Sequence, residues 1–204
     1  MIPFAPSAER NKDAILAALH PRLARCRRVL EIGSGTGQHA LHMTQALPQL
    51  VWQCSDLPGA IPGIAARLES EGTEQTPPPL ALDVGAPPWP LPAAEAPDAF
   101  DAIFTANTLH IMSFAHVGQF FARVGELLAT GGLCCVYGPM KYGGAFTTES
   151  NAEFDAQLRA RDPQSGIRDF AALDALAQAQ GLTLLEDLAM PANNQLLIWR
   201  RTGG

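Results

Sequence analysis

The chain has 204 residues, 47% hydrophobic and 17% charged, with a formal net charge of -6 at pH 7. This composition predicts one globular domain over 1–204 with a sizeable core. The acidic balance makes nucleic acid an improbable partner, because binding it requires a basic face. No apolar run approaches the roughly 20 residues of a membrane helix, and the N-terminus lacks a signal-peptide pattern. We therefore expect a cytoplasmic protein with no membrane partner.

The four cysteines are Cys26, Cys54, Cys134 and Cys135, and no pair has C-x-x-C spacing. Cys134 and Cys135 are adjacent in an apolar run, so their side chains would point to opposite faces of a strand. This pattern predicts free thiols in a reducing compartment and no metal site.

The N-terminal residues predict a single helix. Ser7 is a candidate N-cap for a helix over 8–19 that ends near Pro21. Arg10 and Asn11 lie in its first turns. Their spacing alone favours a solvated helix face over the alternative, a lid above a ligand site.

Next comes an apolar strand over 29–32, followed by Gly33, Gly35 and Gly37 and by a helix over 38–47. Glycine adopts positive φ and has no side chain to block approach. Such a strand, turn and helix bring backbone N–H groups close to a ligand. This stretch therefore predicts a site for a small cofactor.

The remaining elements follow from apolar runs and from glycine and proline breaks. In chain order they are strand 51–56, helix 58–72, strand 80–84, a proline-rich loop over 85–98, strand 100–106, helix 114–129 with Gly131-Gly132 as its C-cap, strand 133–137, loop 138–144, helices 150–159 and 170–180, and strands 182–188 and 195–200. The alternation predicts a doubly wound α/β fold with a mostly parallel seven-stranded sheet. A turn over 190–194 is too short for a parallel crossover, so the last strand should be antiparallel.

Three kinds of cofactor are considered for the glycine turn. A dinucleotide site requires G-x-G-x-x-G, and here Gln38 stands at the last glycine position. A phosphate-binding P-loop requires a lysine that is not present nearby. S-adenosylmethionine (SAM) carries no phosphate and needs no basic group at the turn.

Two acids favour SAM. Asp56 closes the second strand and Asp83 lies near the end of the third, where open α/β sheets bind ligands. Asp56 could accept both hydroxyls of a ribose, and Asp83 could accept the exocyclic amine of adenine. The alternatives are a helix N-cap at Asp56 and a turn residue at Asp83 before Gly85. Together with the glycine turn, the two acids favour the cofactor roles.

The stretch Glu31–Gly37 resembles the first motif of class I SAM-dependent methyltransferases. The resemblance implies their Rossmann-like fold, with SAM as cofactor. The candidate cofactor-binding residues are Arg10, Asn11, Glu31, Gly33, Ser34, Gly35, Gly37, Asp56, Leu57, Asp83, Val84 and Asn107.

A narrower resemblance is to the methyltransferase-like protein 26 family, a domain of unknown function. It rests on the blocks Pro6–Lys12, Ser34–His39, Asn107–Ile111, Tyr137–Pro139, Ser150–Asp155, Gly166–Asp169 and Met190–Asn194. Cys54 stands where that family is expected to carry proline. The resemblance implies a SAM-binding fold without naming a substrate. It favours a helical lid segment over 1–20, in which Arg10 pairs with the methionine carboxylate of SAM.

Methyl transfer from SAM is a direct displacement, so the protein mainly positions a nucleophile and removes its proton. The catalytic candidates are His110, after the fourth strand, and Tyr142, after the fifth. His110 is the predicted general base, and the alternative is a structural histidine bonded to the backbone. Many class I enzymes that methylate amino groups carry Asn/Asp-Pro-Pro-Tyr/Phe at the position of Asn107–His110. The difference argues against adenine or glutamine N-methylation.

Two late polar blocks, Arg168-Asp169 and Asn193-Asn194, could line a substrate pocket. The alternatives are an internal ion pair and turn amides. The sequence thus predicts SAM-dependent methyl transfer to a small molecule. A protein methyltransferase and a non-catalytic SAM-binding sensor or interaction protein stay as alternatives, and a dehydrogenase is disfavoured by Gln38.

Overall fold

The computed structural model describes residues 2–91 and 100–202. Its helices are α1 (Pro6–Leu23), α2 (Gln38–Ala46), α3 (Ile61–Glu71), α4 (Phe114–Leu127), α5 (Glu149–Arg161) and α6 (Phe170–Gln178). Its strands are β1 (Arg28–Ile32), β2 (Val51–Asp56), β3 (Leu80–Ala81), β4 (Phe100–Ala106), β5 (Leu128–Gly138), β6 (Met140–Tyr142), β7 (Ala145–Phe146), β8 (Arg168–Asp169), β9 (Leu182–Met190) and β10 (Asn194–Arg201). The predicted proline-rich loop is irregular over 85–91 and lies outside the described residues from position 92 to its end.

Seven strands form one sheet in the order β3-β2-β1-β4-β5-β10-β9. β1 is parallel to β2 and β4, and β2 is parallel to β3. β10 is antiparallel to both β5 and β9. The predicted doubly wound, mostly parallel seven-stranded sheet with an antiparallel last strand is confirmed.

The chain divides into two compact units, Met1–Phe104 and Thr105–Gly204. In the first unit, α1 buries Ile15, Leu19 and Leu23, which recur at one-turn spacing. The core contains Trp52 and Phe104, whose ring centroids lie 5.6 Å apart in an edge-to-face contact. Burying each large apolar side chain contributes about 1.5–3 kcal/mol.

In the second unit, α4 buries an apolar stripe at Val117, Phe120, Phe121 and Val124. Phe121 meets Trp199 of β10 edge-to-face at 5.6 Å. Trp199 Nε1 donates to Asp174 of α6 at 2.9 Å, so the buried indole has its polar partner.

The N-terminal helix is longer than predicted. α1 begins at Pro6 with Ala5 as N-cap, so the predicted cap at Ser7 is wrong. Proline fits the first helical position, because its missing N–H would have no partner in the helix. The helix also continues past Pro21 to Leu23, since Leu19 and Leu23 are both buried and their packing offsets the lost hydrogen bond.

Other element boundaries also differ from the predicted ones. Gly131-Gly132 does not cap α4, which ends at Leu127; both glycines lie inside the long strand β5. β3 ends at Ala81 instead of position 84, because Asp83 accepts the Gly85 N–H in a tight turn.

The segment predicted as loop 138–144 contains strand β6. It belongs to a second, three-stranded sheet in the order β7-β6-β8. β6 is antiparallel to β7 and parallel to β8, with Met140 paired to Arg168. These strands have two or three residues each, too few for a periodic pattern to show.

Candidate functional site

The glycine turn after β1 needs glycine at three positions. Gly33, Gly35 and Gly37 have φ of 75°, 60° and 74°, the left-handed region that other residues rarely adopt. Gly33 N and Ser34 N both donate to Ser55 O, at 2.9 and 3.0 Å. Ser34 Oγ accepts from Ser55 N at 3.1 Å, so the Ser34 side chain fastens the turn to β2.

Asp56, at the end of β2, is joined to the same turn. Its Oδ2 accepts from Gly35 N and its Oδ1 from Leu57 N, each at 2.7 Å. Ala60 is the N-cap of α3, so the alternative of Asp56 as that helix's cap is wrong. A carboxylate offers about four acceptor positions, and these bonds use two of them. Leu57 beside it is 54% exposed, a large apolar side chain turned to solvent.

Asp83 has the geometry of a turn residue. Its Oδ1 accepts from Gly85 N at 2.8 Å, and the side chain is exposed. Val84, the next residue, is buried and its carbonyl accepts from the Trp89 indole N–H. The turn alternative thus describes the local structure, and an adenine contact at Asp83 stays a prediction.

Glu31 is part of a buried polar chain in the first unit. Its Oε2 accepts from Trp52 Nε1 at 3.0 Å. Its Oε1 lies 3.5 Å from His39 Nδ1 and has no hydrogen-bond partner among residues 2–91 and 100–202. His39 Nε2 is 2.8 Å from Asn11 Oδ1. These buried polar side chains therefore link α1, α2 and β1. His39 is not among the site residues predicted from the sequence.

Gln38 and Arg67 hold the N-terminal segment against the glycine turn. Gln38 Oε1 accepts from Ala5 N at 2.7 Å and from Thr36 Oγ1 at 2.8 Å, and its Nε2 donates to Glu9 at 3.0 Å. Arg67 donates to Thr36 O at 2.7 Å and to the carbonyl of Pro3 at 2.6 Å. These contacts fasten the segment predicted as a lid.

Arg10 lies on the exposed part of that segment. The structure gives its side chain no hydrogen bond or ion pair with any described residue, so its charge is available to a ligand. Asn11, by contrast, is buried against His39.

In the second unit, Asn107 and His110 meet at Gly138. Asn107 has a φ of 56°, unusual for a residue with a side chain, and its N–H donates to Tyr137 O at 2.8 Å. A Cβ built on Gly138 would lie 3.6 Å from His110 Nδ1 and 3.7 Å from Asn107 Oδ1. Both distances are ordinary van der Waals contacts, so the two polar atoms lie directly beside Gly138.

The His110 ring is buried and lies edge-to-face on Phe154, with centroids 5.3 Å apart. Burial, followed by the charge of Arg168, lowers the pKa of His110 to about 4. The imidazole is therefore neutral at pH 7. The alternative of a ring bonded to the backbone is not observed among the described residues, since only the His110 carbonyl is bonded, by Gly166 N at 2.8 Å.

Tyr142 has a different environment. Its hydroxyl donates to Asp187 Oδ2 at 2.7 Å, and its ring stacks on Phe170 at 5.6 Å. Burial, and then the hydrogen bond and charge of Asp187, raise the pKa of Tyr142. At neutral pH the phenol is a hydrogen-bond donor and a poor proton acceptor.

The late polar blocks hold loops. Asp169 accepts from Ala171 N at 3.0 Å and from Gly144 N at 2.6 Å, while Arg168 binds main-chain carbonyls. The alternative of an ion pair within Arg168-Asp169 is therefore not observed among the described residues. Asn194 Nδ2 donates to Pro191 O and Ala192 O, which confirms the alternative of turn amides.

All four cysteines are buried, and no disulfide joins any two of them within the described residues. Within the part of the chain that the structure describes, no three His, Cys, Asp or Glu side chains form a group that could hold a metal ion. In that same part, each helix is too short or too polar to cross a membrane.

A family model described as "Protein of unknown function (DUF938)" matches residues 2–201. The chain belongs to this family. The description assigns no activity, so the function of the DUF938 chain has to be argued from its site.

Solved structures give the fold. SibL, a SAM-dependent methyltransferase, is 21% identical with a TM-score of 0.78, over 97% of the DUF938 chain and 56% of SibL. Human N-acetylserotonin methyltransferase with SAM is 15% identical with a TM-score of 0.80, over 97% of the DUF938 chain and 53% of the methyltransferase. The mitomycin 7-O-methyltransferase MmcR is 17% identical with a TM-score of 0.80, over 96% and 54%. The DUF938 chain thus has the class I methyltransferase fold and spans just over half the length of these proteins.

Proposed function

We propose that this DUF938 chain transfers a methyl group from SAM to a small-molecule acceptor. One observation carries the proposal: the Asp56 carboxylate is fixed between Gly35 N–H and Leu57 N–H and retains acceptor positions for a diol. The resemblance to the methyltransferase-like protein 26 family and a cytoplasmic location stay predictions beside it.

The residues around the turn fit SAM. A Cβ on Gly35 would meet nothing within 4 Å, so the backbone faces open space where a ligand can approach. Asp56 would bind the ribose hydroxyls, exposed Leu57 would cover an adenine face, and Asp83 with Val84 would contact the adenine edge. Exposed Arg10 would pair with the methionine carboxylate.

The remaining cofactor candidates have supporting roles in this proposal. Gly33, Ser34 and Gly37 would shape the turn. Glu31, bonded to Trp52, and the buried Asn11, bonded to His39, would hold the turn against the neighbouring elements. Asn107, in the second unit, stays a predicted cofactor contact.

SAM supplies an activated methyl group when it is bound. The chain's own task is to orient the acceptor and take its proton. His110 would be the general base; it is neutral at pH 7, and its pKa of about 4 makes it a weak one. Asn107 Oδ1 beside Gly138 would accept a hydrogen bond from the acceptor. Tyr142, bonded to Asp187, would contribute as a donor only.

A small-molecule acceptor is supported by two structural neighbours, which are named for action on N-acetylserotonin and mitomycin. A protein acceptor would also yield S-adenosylhomocysteine, so it is distinguished by which extract supports release of that product. A non-catalytic SAM sensor would release none.

The first experiment measures the denaturation midpoint with SAM, S-adenosylhomocysteine or NAD, for the natural chain and for Asp56→Asn. A ligand present at 100 times its Kd stabilises the native state by about 2.7 kcal/mol. We expect SAM and S-adenosylhomocysteine to raise the midpoint, NAD to leave it unchanged, and Asp56→Asn to reduce the shift. No shift with either SAM or its product would refute the proposal.

The second experiment follows S-adenosylhomocysteine release over a fractionated metabolite extract, with a protein extract as the parallel arm. Release from the metabolite fractions supports the proposed acceptor class. Release from the protein arm alone would point to a protein methyltransferase, and binding without release in either arm would point to a sensor.

A further inference from the structure

Four consecutive carbonyl groups around His110 are bonded to one short segment of the second unit. We call residues 107–113 the His110 loop and residues 164–168 the clamp. The bonds are Arg168 Nε to Leu109 O at 3.0 Å, Gly166 N to His110 O at 2.8 Å, Ser165 Oγ to Ile111 O at 3.0 Å, and Arg168 Nη2 to Met112 O.

Arg168 is the centre of this arrangement. The side chain is 8% exposed, and it binds the carbonyls on both sides of His110. A further bond to Gln164 O at 3.0 Å ties the guanidinium to the clamp itself. Only arginine offers several N–H donors in a fixed plane, so a lysine could not reproduce the set.

The clamp is in turn fixed to α5. Asp155 Oδ1 accepts from Ile167 N at 2.6 Å, and its Oδ2 accepts from Arg159 at 2.7 Å. The preceding residue, Phe154, is the one that packs against the His110 ring. Helix α5 therefore contacts both the ring and the segment that holds its backbone.

We propose that Arg168 is a positioning residue for the methyl transfer proposed above: it binds the carbonyls on either side of His110 and so keeps the imidazole beside Asn107 and Gly138. This inference rests on the proposed function for its chemistry, and on the clamp geometry for its structure.

The guanidinium also opposes protonation of the ring. Burial and the Arg168 charge together favour neutral His110. The charged groups of α5 near the clamp, Asp155 and Arg159, form an ion pair with each other. Arg168 is thus the cation whose removal should change the titration of His110.

The test compares Arg168→Gln and Arg168→Lys in the full chain, with exposed Arg161→Gln on α5 as the matched control. Two readouts need no substrate: the NMR titration of the His110 ring, assigned with His110→Gln, and hydrogen exchange of the Gly166 amide. We expect Arg168→Gln to raise the pKa of His110 and to speed Gly166 exchange at least tenfold. Arg168→Lys should retain the low pKa and still speed exchange.

A third readout uses activity. With a substrate in hand, Arg168→Gln should lower kcat at least tenfold and leave the Kd for SAM unchanged. If Arg168→Gln does not fold, the test uses the Gly166 exchange rate and the kcat of Arg168→Lys instead. Unchanged exchange and titration would overturn the inference and leave the proposed function intact. Absence of SAM binding in the natural chain would instead overturn the proposed function. The His110 titration and the Gly166 exchange would then still test whether Arg168 holds the His110 loop.

Discussion

Asp56 Oδ2 accepts the Gly35 N–H at 2.7 Å, so the carboxylate proposed to bind ribose also fixes the middle of the glycine turn. The second oxygen is held by Leu57 N at the same distance. The side chain is therefore ordered before any ligand arrives, and binding costs less conformational entropy than it would for a free carboxylate.

Replacing Asp56 with asparagine should weaken SAM binding about tenfold or more. A hydrogen bond to a charged group contributes about 1.5–3 kcal/mol, and 1.4 kcal/mol is tenfold in Kd. Calorimetric titration with SAM measures the effect, and Glu69→Gln, an exposed acid on α3, is the control. Equal affinities for Asp56→Asn and the natural chain would remove Asp56 from the ribose site.

The sequence predicted the parts of the site that are local in the chain. Gly33, Gly35 and Gly37 are recognisable because strand, turn and helix are contiguous, and their φ angles agree with that prediction. For Gln38 the sequence predicts a position at the start of α2 and gives no contact with the N-terminal segment. Its bond to Ala5 spans 33 residues, and the bond of Arg67 to Pro3 spans 64, so neither follows from a local pattern.

The same limit applies around His110. The sequence places His110 after β4, but Arg168 binds Leu109 across 59 residues. Strands β6 and β8, which bring Met140 next to Arg168, are too short for a hydrophobic period. The sequence therefore singles out both His110 and Arg168-Asp169, but it does not show that Arg168 binds the carbonyls around His110.

Gln38→Ala should release the N-terminal segment from the glycine turn. The variant loses the acceptor for Ala5 N–H and the donor to Glu9. We expect the Ala5 amide to exchange with solvent at least tenfold faster, with little change in the free energy of global unfolding. Hydrogen exchange measured by NMR tests this, and Gln45→Ala, exposed on the same helix, is the control. Unaltered Ala5 exchange would mean that Arg67 alone holds the segment.

His39→Ala should destabilise the chain markedly. It removes the partner of Asn11 and the neighbour of the buried Glu31 carboxylate, and an unsatisfied buried polar group costs about 1–3 kcal/mol. Urea unfolding at pH 7 gives the free energy of unfolding, with exposed His20→Ala of α1 as the matched substitution. A loss no larger than that of His20→Ala would show that the polar chain contributes nothing to stability.

The stability of the chain should fall below pH 6.5 in a way that depends on His110. Its pKa is lowered from 6.5 to about 4 in the folded state, by burial first and by the Arg168 charge second. Between these two pH values the unfolded chain binds a proton on His110 that the native chain excludes. The native state therefore has its full stability with respect to His110 above pH 6.5 and loses it as the pH falls towards 4.

A pKa shift of this size corresponds to about 3 kcal/mol in the free energy of unfolding, at 1.36 kcal/mol for each pKa unit. Urea unfolding of the natural chain and of His110→Gln from pH 7 to pH 4 isolates it, because the carboxylates and the other histidines titrate in both. We expect the natural chain to lose more stability than His110→Gln over this range, and His20→Gln to follow the natural chain. Parallel pH profiles for His110→Gln and the natural chain would mean that the folded His110 titrates normally, which would remove the electrostatic part of the argument for Arg168.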